Sequence, residues 1–330
     1  MNNRIGFDIS KSTINVHIPK GSLDVEIENT NKDIKSLYSK LKKLYKKELD
    51  SIIFIYEPTG RYSYELTHFC SIKNIKVFMI NPKQSYNFAK AIGQRGKSDK
   101  VDARMLSHCI SVAKQDEIKI PVINLIEQEI KELIGYYKFT TRRRVQTNNH
   151  LESLIIKDGS SYAIKDLQQD IKKLIKKEKS IIEKIKELIS DNAVLNEKFS
   201  NIKSIVGIGD IAAILLIHLF IKYPNANQRE IISLVGLDPI QRTSGSSIRG
   251  KSRISKAGSR LYRGSLFMSA MVAIRFNDKI KKFYDRLKEN GKHTTVAQVA
   301  VIKKLIVIAH SLYKNNCAYD EKFYEKQCGK

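Results

Sequence analysis

From Arg4 to Ile18 apolar and polar positions alternate with the two-residue period of a half-buried strand. After the Gly21-Ser22 turn the run LDVEIE alternates again, so the chain is expected to open as a β-hairpin. Ile34, Leu37, Leu41 and Leu44 then recur at helical spacing and predict a helix over about 32–49. The apolar run SIIFIYE, a helix over 62–73, the run VFMI, a helix over 86–92 and a helix opened by Asp99 follow. Strands first paired and then alternating with helices predict a mixed α/β sheet.

From Asn124 to Leu195 the pattern changes to a long, charged, Ile/Leu-striped helix with one break at KDGSSY, residues 157–162. Leu167, Ile171, Leu174, Ile181, Ile185 and Leu188 keep a heptad register in which Glu178 is the polar position. That is the signature of a helical hairpin or coiled coil, and as such a spacer or dimerisation arm. From Phe199 onward the chain reads as mainly helical. Gly207-Ile208-Gly209 separates two apolar helical stretches, a helix-hairpin-helix-like spacing that lets backbone amides at a helix start approach a phosphate; a plain turn before a buried helix has the same pattern. The tail from Thr294 reads as an apolar helix with a charged end.

With 330 residues and 42% hydrophobic content the chain has material for two or three domains with real cores. Its formal net charge of +25 points to an anionic partner, and that magnitude suits a long polyanion better than a small acidic substrate. Lysine is abundant on solvated helix faces throughout. Arginine is not, and six of its fifteen copies (Arg242, Arg249, Arg253, Arg260, Arg263 and Arg275) fall in one window with only Lys251 and Lys256 between them. A planar fork suited to phosphate is concentrated there. Cys70, Cys109, Cys317 and Cys328 lack the spacing of a zinc site and read as free thiols in a reducing compartment. No charged-then-apolar leader opens the sequence, and its longest apolar run, Ile211 to Ile221, is too short to span a bilayer, so a cytoplasmic protein is expected.

Four acids interrupt this pattern. Asp8 lies inside the apolar run IGFDIS, Glu57 ends SIIFIYE, and Asp99 and Asp102 stand three apart on one face of a helix start. First-turn acids are ordinary on dipole grounds, but together the four form an oxygen-only donor set suited to a hard cation such as Mg²⁺. A second constellation is the loop Thr243 to Ser247, followed by Arg249, Arg253, Arg260 and Arg263. A serine hydroxyl among guanidinium groups has the ingredients of a phosphoryl-transfer nucleophile; a loop that only grips backbone phosphates has them too, and the residues alone leave both readings open.

The segments GFDISK, YEPTGRY, NPKQSYNFAKA and KSDKVDARML, with IVGIG, ISLVGLDP and TSGSSIRGKSRISKAGSRLYR behind them, resemble the DEDD transposases of the insertion-sequence-110 family over nearly the whole chain. The resemblance implies a domain over 1–120 similar to the Holliday-junction-resolvase branch of the RNase H fold, a coiled-coil connector over 121–196, and a transposase domain over 197–330. It further implies a recombinase acting on donor and target DNA, directed by a structured RNA encoded by the element; the heptad region, for its part, is expected to assemble protomers into a homo-oligomer, a dimer or tetramer. Asp8, Glu57, Asp99 and Asp102 take the four acidic places and Ser244 the serine place, with Ser246 and Ser247 on the same loop. Gly207, Gly209, Arg249, Lys251, Arg253, Lys256, Arg260 and Arg263 are the expected nucleic-acid contacts. A junction-resolving metal-dependent nuclease and a non-catalytic nucleic-acid scaffold are the alternatives.

Overall fold

The computed structural model describes residues 3–94, 96, 98–244 and 248–320. It divides into two compact units, residues 1–124 and 125–330.

The first unit opens with three strands, β1 (Arg4–Ile9), β2 (Thr13–Ile18) and β3 (Leu23–Glu28). The expected single strand over 4–18 is therefore two. The amide and the hydroxyl of Ser10 both donate to the carbonyl of Thr13, at 2.9 and 2.8 Å, and this folds the chain back without interrupting the alternation of apolar positions. Next comes α1 (Asn31–Tyr45), capped by Thr30, whose hydroxyl accepts from the amide of Asp33. It stops before the expected end and gives way to a 3₁₀ turn over Lys46–Ser51. β4 (Ile53–Tyr56), α2 (Tyr64–Ile72), β5 (Lys76–Met79), α3 (Pro82–Ala91), α4 (Asp99–His108) and β6 (Ile118–Lys119) complete the unit. α3 starts four residues before the expected position, because Asn81 caps it and Pro82 fits its first turn.

The sheet order is β3-β2-β1-β4-β5-β6. β1, β4 and β5 run parallel, while β2, β3 and β6 are antiparallel to their neighbours. Both faces of the centre are packed. Phe7, Val16, Phe54 and Tyr56 meet Leu37 and Leu41 of α1 and Leu66 and Phe69 of α2 on one face. Ile55, Phe78 and Ile80 meet Met105, Leu106 and Cys109 on the other. This mixed sheet with helices is consistent with an RNase H-like DEDD transposase domain.

The second unit begins with two long helices, α5 (Leu125–Ile156) and α6 (Ser161–Ser190), separated at the expected break. The heptad of α6 finds its partner helix in α5 of the same chain: Glu178, its polar position, pairs with Arg144 at 2.8 Å. α7 (Ala193–Lys203), α8 (Asp210–Lys222) and α9 (Gln228–Val235) follow, then strands β7 (Pro239–Ser244) and β8 (Ile248–Ile254), and finally α10 (Arg260–Phe276), α11 (Asp278–Glu289) and α12 (Thr294–Asn315). The two strands are an element that the sequence pattern did not predict. Ile185 and Ile189 of α6 share one core with most apolar positions of α8 from Ala212 to Phe220 and with Val301, Leu305, Ile306 and Ala309 of α12. α12 is long and apolar enough to cross a membrane, yet half of its most apolar window is buried inside this unit, as in a core helix.

Candidate functional site

In the first unit, backbone register sets the acids. Phe7 of β1 stands opposite Tyr56 of β4 in the parallel pair, which brings Asp8 and Glu57, one residue further on, to the same level. Side chains alternate along a strand, so Asp8 shares its face with Gly6, and Glu57 shares its face with Ile55. α4 covers that face. A Cβ on Gly6 would fall onto the carbonyl of Ala103 and lie 2.6 Å from the amide of Ser107, so only glycine permits this approach. Asp102 precedes Ala103 and is half-buried, whereas Asp99 in the first turn is exposed. The structure thus brings Asp8 and Glu57 into line beneath α4, which carries Asp102 and Asp99.

The partners of these acids were not singled out from the sequence. Glu57 accepts from the hydroxyl of Ser85 in α3, a fully buried serine that also bonds the carbonyl of Pro82 at 3.0 Å. Asp102 accepts from Nε2 of Gln94 at 2.9 Å. Asn15, buried in β2, stands directly opposite Asp8. Asn15 carried the signal that marked Asp8, a polar residue within an apolar strand; Ser85 and Gln94 carried none. α4 is also tied to the edge strand β3, since Arg104 donates Nε to both carboxylate oxygens of Asp24, at 3.1 and 2.9 Å, and His17 Nδ1 lies 2.7 Å from Asp24. The Arg104 hydrogen bonds hold the Asp24 carboxyl well below its ordinary range, at about 2, with His17 adding to the effect against the opposing influence of burial.

The oxygen-only set of Asp8, Glu57, Asp99 and Asp102 fits a hard divalent cation in kind. As the side chains stand, among the described residues no three or more His, Cys, Asp or Glu converge closely enough to hold a metal ion. Burial, with the nearby negative charge of Glu57, pushes the Cys109 thiol up to about 12, and Cys70 is raised by burial alone, so neither thiol is a nucleophile near neutral pH.

In the second unit Ser244 is the last residue of β7, paired with Ile248 across the end of the hairpin. Residues 245–247, including the neighbouring hydroxyls Ser246 and Ser247, and the side chains of residues 242–251, including Ser244, Arg249 and Lys251, lie outside the described residues. Arg253, Lys256 and Arg260 are exposed. Arg263 turns inward, donating Nη1 to the carbonyls of Val235 and Gly258 at 2.9 and 2.6 Å. Gly207 has φ of 102° and is pressed against Ala273 and Ser269 of α10, which explains its identity by packing. Gly209 caps α8 with open space beside it, and Asp210 in the first turn pairs with Lys203 and, at 3.5 Å, with Lys186.

Two family models match the chain, the first covering the first unit together with α5 and the second lying wholly within the second unit. A model of DEDD transposases matches residues 5–156, and the model described as the transposase IS116/IS110/IS902 family matches residues 200–285. The pilin gene-inverting protein of Moraxella bovis is 26% identical over 279 residues, spanning 82% of this chain and 83% of its own length. Its namesake from Moraxella lacunata is likewise 26% identical over 279 residues. A shorter stretch of 122 residues is 26% identical to an uncharacterised protein of the insertion element IS110 from Streptomyces coelicolor, covering 36% of this chain and 29% of that one. The two family models lie in tandem and together span well over half of the chain, one on the acid-bearing sheet and one on the hairpin, so the chain belongs to the IS110 family of transposases, enzymes of DNA recombination.

Proposed function

We propose that this transposase cuts and rejoins donor and target DNA with Ser244 as nucleophile and Asp8, Glu57, Asp99 and Asp102 as a Mg²⁺-holding set, directed by an RNA encoded with the element. The observation that carries the reading is the alignment of Asp8 with Glu57 on the face that α4 covers, because two carboxylates at one level of a central sheet have no structural need for each other. A bound Mg²⁺ would neutralise charge on the phosphodiester and favour the ionised hydroxyl. The chain's own part is to hold the carboxylates ready: Ser85 orients Glu57 and Gln94 orients Asp102. On the hairpin side, Arg253 and Arg260 are free in solvent to take phosphate oxygens, and Ser244 ends β7, where glycine follows it in the sequence.

A net charge of +25 exceeds what a short DNA site calls for and supports a second polyanion, the guide RNA. Assembly into a dimer or tetramer is supported by the far end of the α5–α6 pair, where Ile155, Ile156 and Tyr162 are exposed. Co-purification tests the reading. The full chain is purified, its bound RNA is sequenced, and DNA matching that RNA is supplied. Joined products that need both RNA and Mg²⁺ are expected. Cleavage without joining favours a junction-resolving nuclease, and binding without either favours a scaffold.

A further inference from the structure

The hairpin that ends in Ser244 has a root, and the root is made where two chain segments touch. The chain enters through Gly236, which closes α9 in the left-handed region at φ of 77°, and leaves through Ser255 to Ser259 into α10. A Cβ on Gly258 would fall onto the carbonyl of Leu234, and one on Gly236 would lie 2.6 Å from the amide of Ala257, so the two backbones are in direct contact. The amide of Lys256 donates to Gly236 at 3.0 Å and that of Ser255 to Asp238 at 2.9 Å, while the Ser255 hydroxyl donates to the Asp238 carboxylate. Arg263 bridges the contact: its Nη1 donates to Val235, on the entering segment, and to Gly258, on the leaving one.

The neighbouring residue of the same helical turn is anchored in the core. Tyr262 O–H lies 2.5 Å from Nδ1 of His218 in α8, and Nε2 of His218 lies 3.0 Å from Glu127 in the first turn of α5. The hydrogen bond from His218 holds the Glu127 carboxyl below its ordinary range, so Glu127 is an acceptor and Nε2 carries the proton. With that proton on Nε2, Nδ1 is the ring's acceptor for the Tyr262 hydroxyl. Burial raises the Tyr262 phenol, which keeps it a donor. Two helices, α8 and through it α5, therefore fix the turn of α10 from which Arg263 reaches the root.

We propose that the first turn of α10 is a positioning device, in which Tyr262, held by His218 and Glu127, and Arg263, gripping both sides of the root, set the direction of the β7–β8 hairpin, and that Arg263 makes no phosphate contact. The proposal rests on the reading of that hairpin as the serine-bearing element, but its test involves no chemistry at Ser244, so the two fail separately. Two measurements on the full chain are compared for Arg263→Gln, Arg263→Lys, Tyr262→Phe and Arg260→Gln: amide hydrogen exchange over Pro239–Ile254, and the salt dependence of affinity for a fluorescent DNA duplex. Arg263→Gln and Tyr262→Phe are expected to speed hairpin exchange roughly tenfold with α12 still protected and the salt slope of the wild type; Arg263→Lys, which keeps a donating nitrogen but loses the planar fork, recovers part of the protection. Arg260→Gln is expected to lower the slope by about one with exchange unchanged. A slope lowered by about one in Arg263→Gln, with hairpin exchange at the wild-type rate, overturns the proposal. If Arg263→Gln unfolds the unit, α12 loses protection too, and Tyr262→Phe decides, since it keeps the ring in the core: wild-type hairpin exchange in that variant overturns the proposal.

Discussion

Asp8 and Glu57 leave adjacent strands at the centre of a six-stranded sheet that is packed on both faces, so their relative position is fixed by the register that buries Phe7, Ile55 and Tyr56. The β7–β8 hairpin is a sheet of two strands with Arg253 exposed along it, and a lone two-stranded hairpin is marginal in water. Only its root touches a core, through Leu237 and Ile254; the rest of its hold is Arg263 on two carbonyls, Ser255 on Asp238, and a contact between glycine backbones. Moving the carboxylates requires breaking a core, whereas tilting the hairpin requires shifting one partly buried side chain, Ile254, and loosening a few hydrogen bonds worth about 1 kcal/mol each.

The contrast can be broken most sharply at the carboxylates. Asp8→Asn is expected to lower strand cleavage by about a thousandfold or more while leaving the urea midpoint unchanged, because the amide keeps the shape and loses the charge. Gly6→Val attacks the register itself. Its side chain must displace the Ala103 carbonyl, so α4 lifts and the first unit loses about 3 kcal/mol or more, read from urea unfolding. Ser255→Ala is the matching change at the hairpin root and is expected to cost about 1 kcal/mol at most globally, with the loss visible in hydrogen exchange over Pro239–Ile254. Equal unfolding losses in the two variants would erase the distinction drawn here.

The smallest expected effect concerns the tie between α4 and β3. Asp24 has a folded pKa of about 2 against an ordinary 3.8, so its contribution to stability is present above about pH 4 and is lost as the pH falls toward 2. Asp24→Asn should therefore flatten the acid limb of the urea midpoint between those two pH values. An acid limb as steep as that of the wild type would mean that Arg104 and His17 do not hold this carboxylate.

The sequence was most informative where a residue broke an apolar pattern. Asp8 and Glu57 stood out for that reason, and the structure puts them in register. The long helix pair was also legible, because the polar, glycine-containing run at 157–162 marks a break, which the structure confines to residues 157–160, and so short a connection folds the second helix back along the first. The partner of the heptad was not legible: a repeat demands a facing helix without saying which chain supplies it. The sequence pattern marks a loop only over Thr243 to Ser247 and no strand on either side, because PIQRTS and IRGKSRI lack an apolar alternation; apart from Ile254 no core face selects them, and they are strands through pairing with each other. Arg260 and Arg263 look alike in sequence, yet one is exposed and the other is turned onto carbonyls, because the difference lies in which face of the first turn of α10 meets α9.

The central claim, a serine nucleophile working with a carboxylate-held metal, is tested most directly by trapping the reaction on a nicked DNA substrate and mapping the modified peptide by mass spectrometry. The account predicts a covalent DNA adduct on Ser244 that forms with Mg²⁺, is absent from Ser244→Ala, and is absent from Asp8→Asn. DNA cleavage with no protein adduct, or an adduct formed at the wild-type rate in Asp8→Asn, would contradict it.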